Sequence, residues 1–321
     1  MKLVKNIFDH LVHLTQLYDK APHGPEVIAP TFPTIQSHAF LSPWNYFLPG
    51  VILWDPLTQF PQYFSAGLLC PHESHRTKAE ALHPKKWKKG DSEKDAPSRL
   101  YGKDGTVLLV SRVYVCCQGH EVIGHDTRIL EKIPDSKVPF YLSHRSGITV
   151  NLAHEVNSLA STGLTFSEIE RHVAQRYYNR YWLCKEQYND NLRQHKEKAS
   201  ASSYTSTVFP NHTTIDLPSD DIIISCFLII FKENEIFYTQ RMSELSALYI
   251  SADHTFKVAA NIGVNLPDHK WVTQYDSLFC VLNEKGQVVA WQLTKGTSFT
   301  HVEIVLDRLK LKYYVKHVHF R

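Results

Sequence analysis

Ala247-Leu-Tyr-Ile-Ser-Ala-Asp-His-Thr-Phe-Lys-Val258 alternates apolar and polar side chains and carries an acid at Asp253, the pattern of a half-buried strand with a carboxylate on its rim. Two more strand-like runs follow, Trp271 to Leu282 and Gln287 to Leu293, joined by Asn283-Glu-Lys-Gly286. Asn and Gly there are what a tight hairpin turn requires. From Phe299 to Lys310, Val302, Val305, Leu306 and Leu309 recur at helical spacing, and Thr300 with Glu303 forms a candidate capping box. Tyr313 to Phe320 has the β-branched and aromatic content of a further strand, which the helix can bring back parallel to the first. The expected order is three strands as a meander, a helix, and a fourth strand.

That order opens a ribonuclease-H-like fold. Ser251-Ala-Asp-His-Thr-Phe-Lys257, Trp271-Val-Thr-Gln-Tyr-Asp276 and Gln292-Leu-Thr-Lys-Gly-Thr297 resemble a family of transposase-related proteins with a DDE-type integrase core. The resemblance covers most of the chain after about residue 60, and Asp253-His-Thr-Phe-Lys257 is its most specific piece. It implies that Asp253 is a ligand for catalytic Mg or Mn, with a second acid at the end of the fourth strand. No Asp or Glu lies between Asp307 and Arg321, so the resemblance implies a truncated core, an incomplete Mg or Mn site and no nuclease or strand-transfer activity. Asp276 reaches Asp253 only if the two share a sheet face, and otherwise reads as a paired or solvent-facing residue. His254 faces away from Asp253 by strand alternation and reads as structural.

The 321 residues, 43% of them hydrophobic, suffice for one large domain or two to three small ones. A net charge of +3 with 19 histidines accepts nucleic acid as a partner without requiring it. Six scattered cysteines favour a reducing compartment over a disulfide framework. Lys5, Asp9 and His10 interrupt the N-terminal apolar pattern, which argues against a signal peptide and for a surface helix over residues 3 to 18, with Leu3, Ile7, Leu11, Leu14 and Leu17 on one face. The longest apolar run, Ile222 to Phe231, is broken by Ser225 and falls well short of the roughly 20 residues that span a bilayer. A nuclear or cytoplasmic protein, neither secreted nor membrane-bound, is expected.

Leu68-Leu-Cys70-Pro-His-Glu73-Ser-His75 and Cys116-Cys-Gln-Gly-His120 flank a strand at Val107 to Val115 and have the spacing of zinc-ribbon knuckles. Cys70, Cys116 and His120 are good zinc ligands. The fourth position falls on Glu73, with His72 and His75 beside it. The competing reading takes the cysteines as small buried residues and the histidines as surface ones.

Lys85-Lys86-Trp87-Lys88-Lys89 reads either as a DNA-contacting patch, with lysines on phosphates and the indole on a base, or as a solvated loop or nuclear address. A short helix at Asn151 to Ala160, a Thr-Gly break and a second helix from Phe166 have the look of a helix-turn-helix, in which Arg171, Arg176 and Arg180 would meet DNA phosphates. Tyr177, Tyr181 and Tyr188 at helical spacing suit a plain helical hairpin equally well. Lys198 to Thr214, rich in Ser, Thr and Ala, reads as a linker, and Ser219-Asp-Asp caps a helix through Phe231 that resumes at Glu235 after a kink. From Pro30 to Pro61 the prolines and Trp44, Phe47 and Trp54 suggest an irregular segment.

The expected architecture is an α+β multidomain chain. Residues 1–66 hold the N-terminal helix and Pro/aromatic segment, 67–146 the β-rich Cys/His module, and 147–200 the helical hairpin or helix-turn-helix. The linker covers 201–217, and the incomplete ribonuclease-H-like α/β core 218–321. Two functions follow: a transposase-derived DNA-binding protein with an inactive core, or a non-enzymatic interaction module or inert transposon remnant. The exposed edge of the last strand would serve self-association or a protein partner.

Overall fold

In this computed structural model, residues 5–30, 32–33, 42–65, 67–72, 81–90, 95–143, 146–198, 208–256, 263–265, 271–313 and 319–320 are described. The protein is α+β and divides into two units, Met1–Ile230 and Phe231–Arg321.

In the first unit the chain runs α1 (Lys5–Lys20), β1 (Val27–Ile28), a single-turn helix at Pro43–Phe47, β2 (Gly50–Trp54), α2 (Pro56–Gln59), β3 (His83–Trp87), β4 (Ser98–Tyr101) and β5 (Thr106–Val115). It continues through β6 (Glu121–Ile123), α3 (Thr127–Leu130), β7 (Phe140–Leu142), β8 (Gly147–Thr149), α4 (Val150–Ser161), α5 (Phe166–Lys198) and α6 (Asp220–Glu233), whose last residues pass into the second unit. The strands form one sheet in the order β1-β2-β5-β4-β8-β7, with β3 and β6 also on β5. β5 changes partners along its length. Its first half lies between β2, parallel, and β4, antiparallel, while its second half lies between β3 and β6, both antiparallel. A strand covered on both faces must be apolar on both, which explains its near-continuous hydrophobic run. Alternation divides that run. Val51, Leu53, Leu108 and Val110 meet Leu11 and Tyr18 of α1, whereas Ile52, Trp54, Val107 and Leu109 face the cluster that holds Phe60, Phe64 and Phe140.

Several expectations change here. Val51 to Trp54, inside the segment read as irregular, is a fully buried strand. Because β2 pairs with β5, residues 1–66 and 67–146 share one sheet, and no structural boundary falls at 66/67. The buried face of α1 is Leu11, Thr15 and Tyr18, while Leu17 is 49% exposed. The expected linker holds Phe209, whose ring packs against Phe47, Tyr181 and Tyr188. Ile215, Leu217 and Phe227 then join the core of α4 and α5, so the unit boundary lies at Ile230 instead of 217.

The second unit adds α7 (Glu235–Glu244), β9 (Ile250–Thr255), β10 (Gly263–Asn265), β11 (Trp271–Thr273), β12 (Ser277–Asn283), β13 (Val288–Thr294), α8 (Phe299–Tyr313) and β14 (His319–Phe320). The main sheet has the order β13-β12-β9-β14; the first three strands are an antiparallel meander and β14 is parallel to β9. Val302, Val305, Leu306 and Leu309 of α8 pack on Ala252, Phe279 and Val281, each large side chain stabilising the unit by about 1.5–3 kcal/mol. The hairpin turn is built by Asn283. Its side-chain oxygen accepts from the amides of Lys285 and Gln287, its Nδ2 donates to Ser246 O and Gln287 Oε1, and Gly286 takes φ +73°. The run from Trp271 is two strands, since Trp271–Thr273 pairs with β10 and the meander strand begins at Ser277. Helix α8 starts at Phe299, one residue before the expected box, with Ser298 Oγ against His301 Nδ1 at 3.0 Å.

Candidate metal centre

β5 and β6 are joined by the five residues 116–120, in which Gly119 N donates to Cys116 O at 2.9 Å, and Cys116 N to His120 O at 3.2 Å. Gly119 sits at φ +85°, a conformation that admits glycine readily and other residues at a cost. The turn brings Cys116 Sγ to 3.5 Å from His120 Nδ1. Opposite it, Leu69 bridges to Ala81 and Leu82 N donates to Leu68 O, so that Cys70, buried like Cys116, approaches the same point. The ligand atoms of Cys70, Cys116 and His120 lie within 4.8 Å of one another, the one such grouping of three or more among the described residues. A tetrahedral ion with bonds of about 2.0–2.3 Å separates its ligands by roughly 3.5–3.8 Å. Cys116 and His120 are already at that spacing, so the trio can hold a metal ion after a shift of no more than about 1 Å.

The ring of His72 stacks on that of His120, with centroids 3.8 Å apart and planes 12° from parallel. This fixes the plane of the His120 imidazole. Cys117 is exposed and outside the group, and Glu73 and His75, the other candidates for the fourth position, lie outside the described residues.

Behind the knuckle, β5 carries a buried polar cluster that sequence reasoning missed. Tyr114, with no exposed surface, donates to Asp55 Oδ1 at 2.5 Å and accepts from Leu57 N at 3.3 Å. Asp55, 4% exposed, also accepts from Thr58 Oγ1, and Arg112 Nε stands 4.0 Å from its other oxygen. Burial pushes the Tyr114 hydroxyl far above its usual range, and the neighbouring Asp55 charge adds to this. The cluster ties α2 to β5 two residues before Cys116.

The expected DNA contacts fare unevenly. Lys85 to Trp87 is strand, not loop. Trp87 is 5% exposed, its Nε1 donates to Asp19, and the Arg112 guanidinium covers its ring at 4.7 Å, so this indole is closed to a base. Lys85 pairs with Glu121 at 2.6 Å and Lys86 with Asp95 at 2.9 Å, which leaves Lys88 and Lys89 as the half-buried remainder of the patch. Arg176 is held by Glu155 and by Asp104, the latter at 2.7 Å, and is not presented to DNA. Arg171 is exposed, with Nε directed to Ser167 O. The patch pairs with the far end of β5, at Arg112 to Val115, whereas Arg176 is tied to Asp104, two residues before the strand begins at Thr106.

α4 and α5 are the expected helix pair, with Thr165 and Glu168 as a capping box and Tyr177, Tyr181 and Tyr188 buried. At 33 residues α5 is long for a recognition helix, and the Tyr stripe serves packing. In the second unit Asp253 is exposed on β9, opposite Cys280 of β12. Burial, aided by the Asp253 charge, raises the Cys280 thiol above its usual range. Asp276 lies four residues before Cys280, roughly 13 Å along the strand, too far to share an ion with Asp253. His254 is on the other face, against Phe279 and Ser277 Oγ, as expected of a structural residue.

Comparison of the chain with protein-family models, with curated proteins and with solved structures found no match.

Proposed function

We propose that the chain is a transposase-derived, nucleic-acid-binding protein whose ribonuclease-H-like unit has no nuclease activity of its own within residues 1–321. The observation that supports this reading is the sheet order β13-β12-β9-β14, with β14 parallel to the strand that carries Asp253. Two-metal cleavage needs carboxylates that hold cations about 3.5–4 Å apart, and Asp253 and Asp276 are too widely spaced for that. Zinc is the ion that suits Cys70, Cys116 and His120, because two thiolates and an imidazole match its borderline softness. It would pin β5 and β6 to the preceding loop and act structurally. DNA contact then falls to cations such as Lys88, Lys89 and Arg171, which suit phosphates more than bases, so binding is weak, salt-sensitive and indifferent to sequence.

Titrating a labelled duplex against the protein at several salt concentrations tests this. Affinity should fall linearly on a log–log plot with a slope of about −2 to −4, that is about 0.9 per phosphate neutralised. No binding at low salt to the duplex or to either of its separated strands, or a strong preference for one sequence, would refute it.

A second reading, a protein-interaction module, is favoured by the apolar surface of the second unit: Ile236 is 84% exposed, Leu248 80%, Tyr249 71% and Ile304 61%. Self-association through this surface or the sheet edge would make the apparent mass depend on concentration in sedimentation. A constant monomer mass together with DNA binding would leave the first reading alone.

A further inference from the structure

The two sides of α5 are chemically distinct. Ile169, Val173, Tyr177, Tyr181, Cys184 and Tyr188 are buried. Away from that face, at 3.6 residues per turn, Arg171, Tyr178, Trp182, Lys185, Arg193 and Lys196 fall within a sector of about 80° and run for roughly 37 Å. Arg171, Arg193 and Lys196 are exposed, Trp182 is 55% exposed, and Tyr178 and Lys185 are half-buried. The Lys185 ammonium lies 4.9 Å from the centre of the Trp182 ring, and Tyr181 meets the same indole edge-on at 5.2 Å. The indole is therefore held in place while more than half of it faces solvent. At the far end a shallow cleft is lined by Asn189, Leu192, Arg193, Lys196 and Glu197. Acids occupy the adjoining strip of the helix: Glu168 is engaged by Thr165, and Asp190 by Arg193 at 2.8 Å.

We propose that this stripe binds single-stranded nucleic acid. An oriented indole with a half-buried tyrosine one turn away forms a stacking platform, and cations before and after it can follow a phosphate backbone. A duplex offers no base face to such a ring, so the strand must be unpaired. The proposal rests on the reading of the chain as a nucleic-acid binder. It moves the contact from Trp87 and Arg176, which are engaged internally, to residues with free surface.

Fluorescence anisotropy with a labelled oligothymidylate and with a duplex of equal length provides the test, on the full chain and on two variants, Trp182→Ala and the triple Lys185→Ala, Arg193→Ala, Lys196→Ala. The substituted positions are exposed or half-buried, and circular dichroism checks that the fold is retained. Trp182→Ala should weaken oligothymidylate binding roughly tenfold or more, and duplex binding far less. The triple variant should flatten the single-strand salt slope by about 2, at about 0.7 per phosphate. Unchanged oligothymidylate affinity in both variants would overturn the stripe while leaving nucleic-acid binding intact, as would a parent that binds only duplex. A parent that binds neither probe would overturn the functional reading as well.

Discussion

Tyr114→Phe removes a single oxygen from the centre of the first unit, and its cost can be worked from the contacts of that oxygen. The hydroxyl donates to the buried carboxylate of Asp55 at 2.5 Å and accepts from Leu57 N at 3.3 Å. A hydrogen bond to a charged group contributes about 1.5–3 kcal/mol, and a buried partner left unsatisfied costs about 1–3 kcal/mol more. Asp55 keeps Thr58 Oγ1, which offsets part of this. The net loss should be about 2–4 kcal/mol, a large share of the roughly 5–15 kcal/mol that holds a domain together. Urea unfolding followed by tryptophan fluorescence reads it, because Trp54 and Trp87 are buried in the same sheet. With a slope of about 2–3 kcal/mol per molar urea, the midpoint should fall by roughly 1 M or more. Since Tyr114 precedes Cys116 by two residues on β5, metal affinity should fall with it. An unchanged midpoint would refute the claim that this cluster fixes β5 and its knuckle.

Three further outcomes are expected. The purified chain should carry no more than about one zinc, and Cys70→Ser or Cys116→Ser should remove it, as metal analysis would show; zinc content indifferent to either substitution would eliminate the trio. Burial, reinforced by Lys88, lowers the His125 imidazole to about 4. Its folded value lies below the unfolded one, so its contribution is complete above about pH 6.5 and is lost as pH falls towards 4; between pH 7 and 5 it should cost the unit about 2 kcal/mol, and His125→Gln should remove that part of the dependence while leaving the share of His10, which burial also lowers. Asn283→Ala strips the β12–β13 turn of three hydrogen bonds and removes a fourth, to Ser246 O, and should destabilise the second unit by about 2–3 kcal/mol in thermal unfolding, with little effect on the first.

The second unit was legible because its signals are local. Alternation marks β9, helical spacing marks α8, and Asn283 with Gly286 marks the turn. A parallel return beside β9 follows from the helix that precedes it. The first unit hides more, because its sheet is assembled from distant segments. Val51-Ile-Leu-Trp54 carried the signature of a buried strand, a short apolar run bounded by Pro49-Gly50 and Asp55-Pro56, but the surrounding prolines masked it. Lys85 to Trp87 has no apolar alternation that would mark a strand, and only its pairing with β5 buries Trp87. Nor can sequence show that Arg176 is claimed by Glu155 and Asp104, which lie 21 and 72 residues away. Gly147 is a similar case: a Cβ there would lie 2.2 Å from Tyr141 O, a constraint that exists only once β7 and β8 have paired. Cys70, Cys116 and His120 were legible from knuckle spacing. The basic and aromatic stripe of α5 is legible in the same way, in the spacings of four and three from Tyr178 through Trp182 to Lys185.

The most direct measurement incubates supercoiled plasmid with the full chain and manganese and resolves the products on a native gel. Plasmid should be retarded at low salt, released as salt rises, and neither nicked nor linearised. Nicking that disappears in Asp253→Ala would contradict this by showing that other acids assemble around that residue, and plasmid and its heat-denatured strands both left unretarded at every salt concentration would contradict it by removing nucleic acid as the partner.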